Sequence, residues 1–355
     1  MASNRLLILP DLHAGDSADG VQGVPRAAQD GASFWRVFSN WSARLSEACK
    51  VGVLYKADYF ALLGDNIENL STDALAVWAA VLNQIEAEYC NLASESLSRK
   101  IIPIFGNHEY DTTDMEVSDW FGTLKTEVVV DFDATPSQAW PGGTKANTVT
   151  SCLWTDWDNF DFLTLWGAGG LEAIWDNVGE TYEEGVDPNA AAQLDWLENT
   201  VVPALTKPLL VFCHQHLSDS DGLATIPAAI LSGTPDNSNT PLQTILSDCG
   251  QKVTCFCGHY HRVVPDDNKI WEKDTINLTA NGGAAVDYYN LRGSVLGTHA
   301  GDMRGNTFFI VDIDTVAGVT NIMPFRYSNT LRDRYNPHDL DNVMGTHDRL
   351  RSRYS

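Results

Sequence analysis

Five short polar blocks in this chain carry side chains able to bind metal: Asp11 with His13, Asp65, Asn107 with His108, His214, and His259 with His261. Their donors are carboxylate, amide and imidazole, with no thiolate among them, a mixture that suits Mn, Fe, Zn or Ni rather than calcium. Two divalent ions about 3.5–4 Å apart can clamp a phosphoryl group, one polarising its oxygens while a bridging hydroxide attacks in line. Such a pair needs a carboxylate between the ions, and Asp65 is the natural candidate. One block alone says little, because Asp, Asn and His also cap loops.

Each block needs an element to hold it, and each follows a short apolar run. Residues 5–10 (RLLILP), 59–63 (YFALL), 101–105 (IIPIF), 209–213 (LLVFC) and 253–257 (VTCFC) have the length and composition of buried strands, and a polar block follows each. Helical spacing of Phe34, Val37, Phe38, Trp41 and Leu45 places a helix after the first strand. Leu75, Trp78, Ala79, Leu82 and Ile85 place a second over about 72–98. Strand, polar turn and helix in repetition predict an α/β sheet whose carboxyl edge carries the site. Residues 128–190 change character, with alternation over 153–165 that predicts antiparallel strands of a second sheet. A short helix is expected over 193–205 and further strands over 275–279 and 307–313. From about Ser328 the chain turns polar and arginine-rich, so residues 1–327 read as one domain and 328–355 as a tail.

With 355 residues and 44% hydrophobic content, the chain can bury a large core. A formal net charge of −24 disfavours capture of a polyanion, so a long duplex or an acidic membrane is an unfavourable partner. Bound cations can still reverse the field inside a cleft. The seven cysteines are scattered without a CxxC pair, which points to a reducing compartment and a cytoplasmic protein. No window reaches the roughly 18 apolar residues of a membrane span, and no signal peptide is legible.

Taken in order, the blocks D-x-H, G-D, G-N-H-E, H and G-H-x-H resemble the pattern of the calcineurin-like metallophosphoesterase superfamily. The resemblance implies a four-layer α/β/β/α sandwich of two mixed sheets. It implies Asp11, His13, Asp65 and His261 around one ion, and Asp65, Asn107, His214 and His259 around the other. His108 then faces the substrate as the catalytic group, stabilising the transferred phosphoryl group or protonating the leaving oxygen, a role suited to an imidazole titrating near neutral pH. Gln193-Leu194-Asp195-Trp196-Leu197-Glu198 is similar to the Q-x-x-W-L-x segment of class III cyclic-nucleotide-phosphodiesterase-like members. The implied reaction is hydrolysis of a small phosphodiester or phosphomonoester by a metal-bridging hydroxide. A nuclease acting on DNA or RNA ends is the alternative, and a metal-bound scaffold ranks third.

Three departures from the pattern stand out. Glu68 occupies the place where purple acid phosphatases carry a tyrosine ligand, so an iron-tyrosinate centre is not expected. His214 is followed by Gln215 and His216 where phosphodiesterase relatives often carry H-P. Residues 111–190 and 218–250 match no named pattern, and loops 14–32, 111–127 and 218–250 are expected around the site. His216 reads as a structural histidine, and His299, His338 and His347 as surface or core residues. Asn66 either orients Asp65 or caps a turn. Trp41, Trp78 and Trp196 read as core, Cys255 and Cys257 likewise, while Trp154, Trp157 and Trp175 are candidate pocket walls.

Overall fold

The computed structural model describes residues 4–15, 41–67, 74–90, 100–110, 137–139, 151–167, 188–217, 226, 231, 240–259, 271–276, 284–291 and 307–326. Outside these lie Phe34 to Phe38, Glu68, most of loops 14–32 and 218–250, all of 111–127, Trp175, His261, His299, His338, His347 and the arginine-rich tail.

The first apolar run forms β1 (Asn4–Leu9), which pairs in parallel with β2 (Tyr59–Leu63), and β2 pairs in parallel with β3 (Lys100–Ile104). Between them lie α1 (Trp41–Leu54), α2 (Ala74–Ile85), whose path continues as a π-helical turn over Glu86–Cys90, and after β3 the single turn α3 (Asn107–Tyr110). A second sheet begins with β4 (Gln138–Ala139), β5 (Cys152–Trp154) and β6 (Asp161–Leu165), antiparallel in succession. Helix α4 (Pro188–Trp196) runs on through a π turn to Ala204, and then come β7 (Leu209–Cys213), α5 (Leu242–Asp248) and β8 (Val253–Cys257). The remaining strands are β9 (Trp271–Ile276), β10 (Val286–Leu291), β11 (Thr307–Asp314) and β12 (Gly318–Arg326). The sheet orders are β12-β11-β1-β2-β3 and β4-β5-β6-β7-β8-β10-β9. Both are mixed, and the fold is the expected α/β sandwich.

Period-two alternation explains why the central strands are apolar on both faces. In β7, Leu210 and Phe212 join the core between the sheets, whereas Leu209, Val211 and Cys213 join the core under α4 and α5. Inner-face rings form a cross-strand ladder, Phe162 on Phe212 at 6.0 Å, Phe212 on Phe256 at 5.6 Å and Phe256 on Tyr289 at 5.6 Å. Trp154 and Trp157 stack at 5.2 Å in the same layer, 1% and 2% exposed. They are therefore inter-sheet core, and their reading as pocket walls is corrected. Cys255 and Cys257 are buried, as expected.

Other expectations shift. Helix α4 starts at Pro188 rather than 193, and β9 sits four residues earlier than its predicted start. Residues 242–248 form a helix inside a segment read as loop.

Candidate metal centre

All five apolar runs end at one edge of the sandwich. The segments leaving β1 and β2 run side by side, bonded from the N–H of Asp11 to the Gly64 carbonyl (3.2 Å), His13 to Asp65 (2.8 Å) and Ala14 to Asn66 (2.8 Å). Helix α1 grips the first of these segments from outside: Arg44, 5% exposed, donates to the Leu12 carbonyl (2.8 Å), and the Trp41 indole donates to the Gly15 carbonyl (2.9 Å). From the other sheet, the His214 ring reaches the Leu63 carbonyl through Nδ1 at 2.7 Å, and the His259 N–H donates to Asp11 Oδ1 at 3.1 Å.

This crowding dictates local backbone. Asp11, His13, Asp65 and His259 have φ of 52°, 45°, 47° and 72°, a left-handed conformation that costs about 1–2 kcal/mol for a residue with a Cβ. Asp tolerates it better than most residues because its short polar side chain can bond locally. Gly64, at φ 83°, lies where a Cβ would fall 2.6 Å from His214 Nδ1. At Gly106 a Cβ would collide with Asp65 Oδ1 and lie 2.6 Å from the Asp65 nitrogen.

The donors form two groups that share Asp65. Around His214 Nε2 lie Asp65 Oδ2 at 3.2 Å, Asn107 Oδ1 at 3.2 Å and His259 Nδ1 at 3.1 Å. The contact of Nδ1 with the Leu63 carbonyl fixes the ring so that Nε2 points into this group. In the other group, the Nε2 atoms of His13 and His108 lie 3.6 and 3.9 Å from Asp65 Oδ2, with the two rings edge to face at 4.5 Å. Each triad, His13–Asp65–His108 and Asp65–His214–His259, keeps its ligand atoms within 4.8 Å of one another. Oxygen and imidazole donors at these separations fit divalent cations. Asp11 is fully buried beneath them, with Oδ1 4.0 Å from His214 Nδ1. Of the predicted residues, the structure thus brings together Asp11, His13, Asp65, Asn107, His108, His214 and His259, and His261 lies outside the described residues.

Electrostatics follow from burial. Burial works to raise Asp65, but His214, His108 and His13 hold it well below the usual carboxylate range. Burial works to lower His214, yet Asp65, then Asp11 and the Leu63 carbonyl, push it up to about 10. Two residues escaped the sequence reading. Glu109 was in view only as the last letter of its block, and Arg44 could have been noticed as a cation beside Leu45 on the apolar face of α1. Asn66 is resolved as a brace, its amide donating to the Ile104 carbonyl at 2.8 Å. His216 is fully buried.

No described helix is long and apolar enough to cross a membrane. A comparison with curated proteins returns no match. Among solved structures, the chain is similar to a dimetal phosphatase from Danio rerio, at 12% identity and TM-score 0.49, over 92% of this chain and 99% of that one. It is also similar to a purple acid phosphatase from yellow lupin (Lupinus luteus), at 13% identity and TM-score 0.46, over 92% of this chain and 52% of that one. A Thermus thermophilus protein matches at 10% identity and TM-score 0.40, over 92% and 100%. The family model described as calcineurin-like phosphoesterase matches residues 5–263, which span every block from Asp11 to His261. By that match the chain belongs to the calcineurin-like phosphoesterase family, and it is a metal-dependent phosphoesterase.

Proposed function

We propose that the chain hydrolyses a small phosphodiester or phosphomonoester at a centre of two divalent ions. Asp11, His13, Asp65 and His261 would hold one ion, and Asp65, Asn107, His214 and His259 the other. The observation that carries this reading is the convergence of Asp65 Oδ2, Asn107 Oδ1 and His259 Nδ1 within 3.2 Å of His214 Nε2, donors from four separate loops. When bound, the ions supply Lewis acidity toward a phosphoryl oxygen and toward water.

The chain's own residues do the rest. Asp65 presents one oxygen to both groups while its other accepts the His108 N–H at 3.0 Å, so the shared carboxylate and the backbone of His108 are oriented together. His108, with 12% of its side chain exposed, is more open than His13 or His214 and meets the substrate. It stabilises charge on the phosphoryl oxygens and gives a proton to the departing oxygen. The fully buried Asp11 keeps His259 in register through the His259 N–H. The Gln193 segment supports a place in the class III phosphodiesterase-like branch, and the net charge of −24 supports a small substrate over a nucleic acid.

The test is turnover of bis-p-nitrophenyl phosphate and p-nitrophenyl phosphate by protein stripped of metal and reloaded with Mn, Ni, Zn or Mg. Metal-dependent turnover that vanishes in Asp65→Ala supports the reading, and the diester-to-monoester ratio assigns the substrate class. A chain that binds no divalent ion in any preparation would falsify it.

A further inference from the structure

The last residue of the third block, Glu109, lies on α3 and is 1% exposed, and it faces the ligand loops. Four backbone N–H groups donate to its carboxylate. Oε1 accepts from Asn66 at 2.5 Å and Ile67 at 3.0 Å, and Oε2 accepts from Asp65 at 3.0 Å and Gly106 at 2.6 Å. The bond to Gly106, three residues back, is the return half of a capping box at the start of α3. The other three cross more than 40 residues of sequence to the loop after β2 and have nothing to do with capping.

In that loop Gly64 and Asp65 are both left-handed in succession. A turn of this kind points successive N–H groups the same way, into a nest that an anion fills. Here the group that fills it is a side-chain carboxyl, which burial and then the neighbouring Asp65 raise to about 7 against the pull of these N–H donors. It ties the loop carrying Asp65 to the turn carrying Asn107 and His108, so the groups meant to act together are fixed from beneath by one carboxylate.

We infer that Glu109 is a positioning residue that fills a backbone nest beneath the metal centre and so presets the direction of Asp65 relative to Asn107 and His108. The inference rests on the metal reading of the site. It makes a sharp claim about the near-isosteric amide. Each Glu109 oxygen receives two N–H donors, so Glu109→Gln must turn its NH2 against one donor pair or the other, and neither orientation satisfies the nest. The loss therefore falls on the geometry of the loop rather than on volume.

The experiment compares wild type, Glu109→Gln, Glu109→Asp and Asp287→Asn, the last removing a buried carboxylate far from the centre. Mn affinity is measured on metal-stripped protein by calorimetry, alongside the rise in Tm on loading each variant with Mn. The expected result is Mn affinity lowered by about 10–100-fold in Glu109→Gln, as for other groups that orient metal ligands. Its Tm rise should be correspondingly smaller, and Asp287→Asn should bind Mn and gain Tm as wild type does. Once loaded, Glu109→Gln should lose kcat more than KM, because Asp65 and His108 are turned away from each other. If Glu109→Gln does not fold, Glu109→Asp carries the test, since a carboxylate one methylene shorter cannot reach both loops and should show the same drop in affinity. Wild-type Mn affinity and a wild-type Tm rise in the Glu109 variant that folds would overturn the inference and leave the metal reading intact. A wild-type chain that binds no Mn overturns both.

Discussion

His108 and Asp65 are the residues whose removal should separate chemistry from binding. His108 lies 3.9 Å from the shared carboxylate oxygen, at the open side of the centre, so His108→Gln removes a proton donor without removing a ligand of the proposed set. We expect kcat to fall by about 10²–10⁴-fold with Mn affinity kept within a few-fold. Steady-state kinetics beside calorimetry reads this, and a parallel loss of Mn binding would make His108 a ligand instead. Gly106→Ala is expected to act on the site without replacing a functional side chain, since its Cβ would be driven onto Asp65 Oδ1 and lie 2.8 Å from His214 Cδ2. Relief requires the loop after β2 to move, costing about 1–3 kcal/mol of stability and abolishing metal-dependent turnover, readable by urea unfolding and assay. At this scale the sequence was most legible where residue type is the signal. Imidazole and carboxylate in ordered blocks announce a metal site before any geometry is known. Left-handed backbone at Asp11 and His13 and the N–H nest around Glu109 were illegible, because they arise from two loops meeting, and neither loop's own residues record the other.

Elements follow the same division. Strands β1, β2, β3, β7 and β8 are buried on both faces, which produces the unbroken apolar runs that mark them in sequence. Strand β10 (VDYYNL) escaped because Asp287 and Asn290 interrupt its run, although both are buried, at 5% and 1% exposed. Strand β12 contains Pro324 at the sheet edge, where a missing N–H costs no ladder bond, and α5 is only seven residues long, too short for a helical period to register. The interruption in β10 has a structural use. Asp287 accepts from Lys252 Nζ at 3.0 Å and Thr275 Oγ1 at 2.8 Å and pairs with Lys273 at 3.1 Å, fastening the edge strand β9 and the start of β8 to β10. Burial works against its charge, but these partners hold Asp287 below the ordinary carboxylate value. A depressed carboxylate contributes stability that is present above its unfolded value and lost as pH falls through its folded one. Asp287→Asn should therefore be less stable than wild type by about 1 kcal/mol at pH 7, a modest figure because both lysines are partly exposed to screening solvent. Urea unfolding at decreasing pH should show the gap closing only below the ordinary value of 3.8, and a gap that stays constant in acid would remove the charge from the explanation.

For the whole molecule the decisive quantity is the net charge of −24 set against a centre proposed to hold two dications. Within a few ångströms of Asp65 bound ions would dominate and favour a phosphoryl group. At longer range the acidic surface governs approach, and it repels the substrate that the centre binds. Which effect controls capture depends on salt, because the Debye length shrinks from about 30 Å at 0.01 M to about 8 Å at 0.15 M ionic strength. At low salt the repulsion reaches beyond the mouth of the site, and at 0.15 M the approaching anion meets little of it until the local cations take over. With Mn held at saturation, kcat/KM for p-nitrophenyl phosphate should therefore rise several-fold between these two conditions while kcat stays level, since bound substrate is beyond the reach of the surface field. An oligonucleotide carries many more charges and should show a steeper rise from a lower starting point. A nuclease with a basic track would behave in the opposite sense, its affinity falling as salt releases the counterion gain of phosphate contacts. The sign of the salt dependence on the two substrates thus separates a small-molecule phosphoesterase from a nucleic-acid enzyme built on the same ligand set.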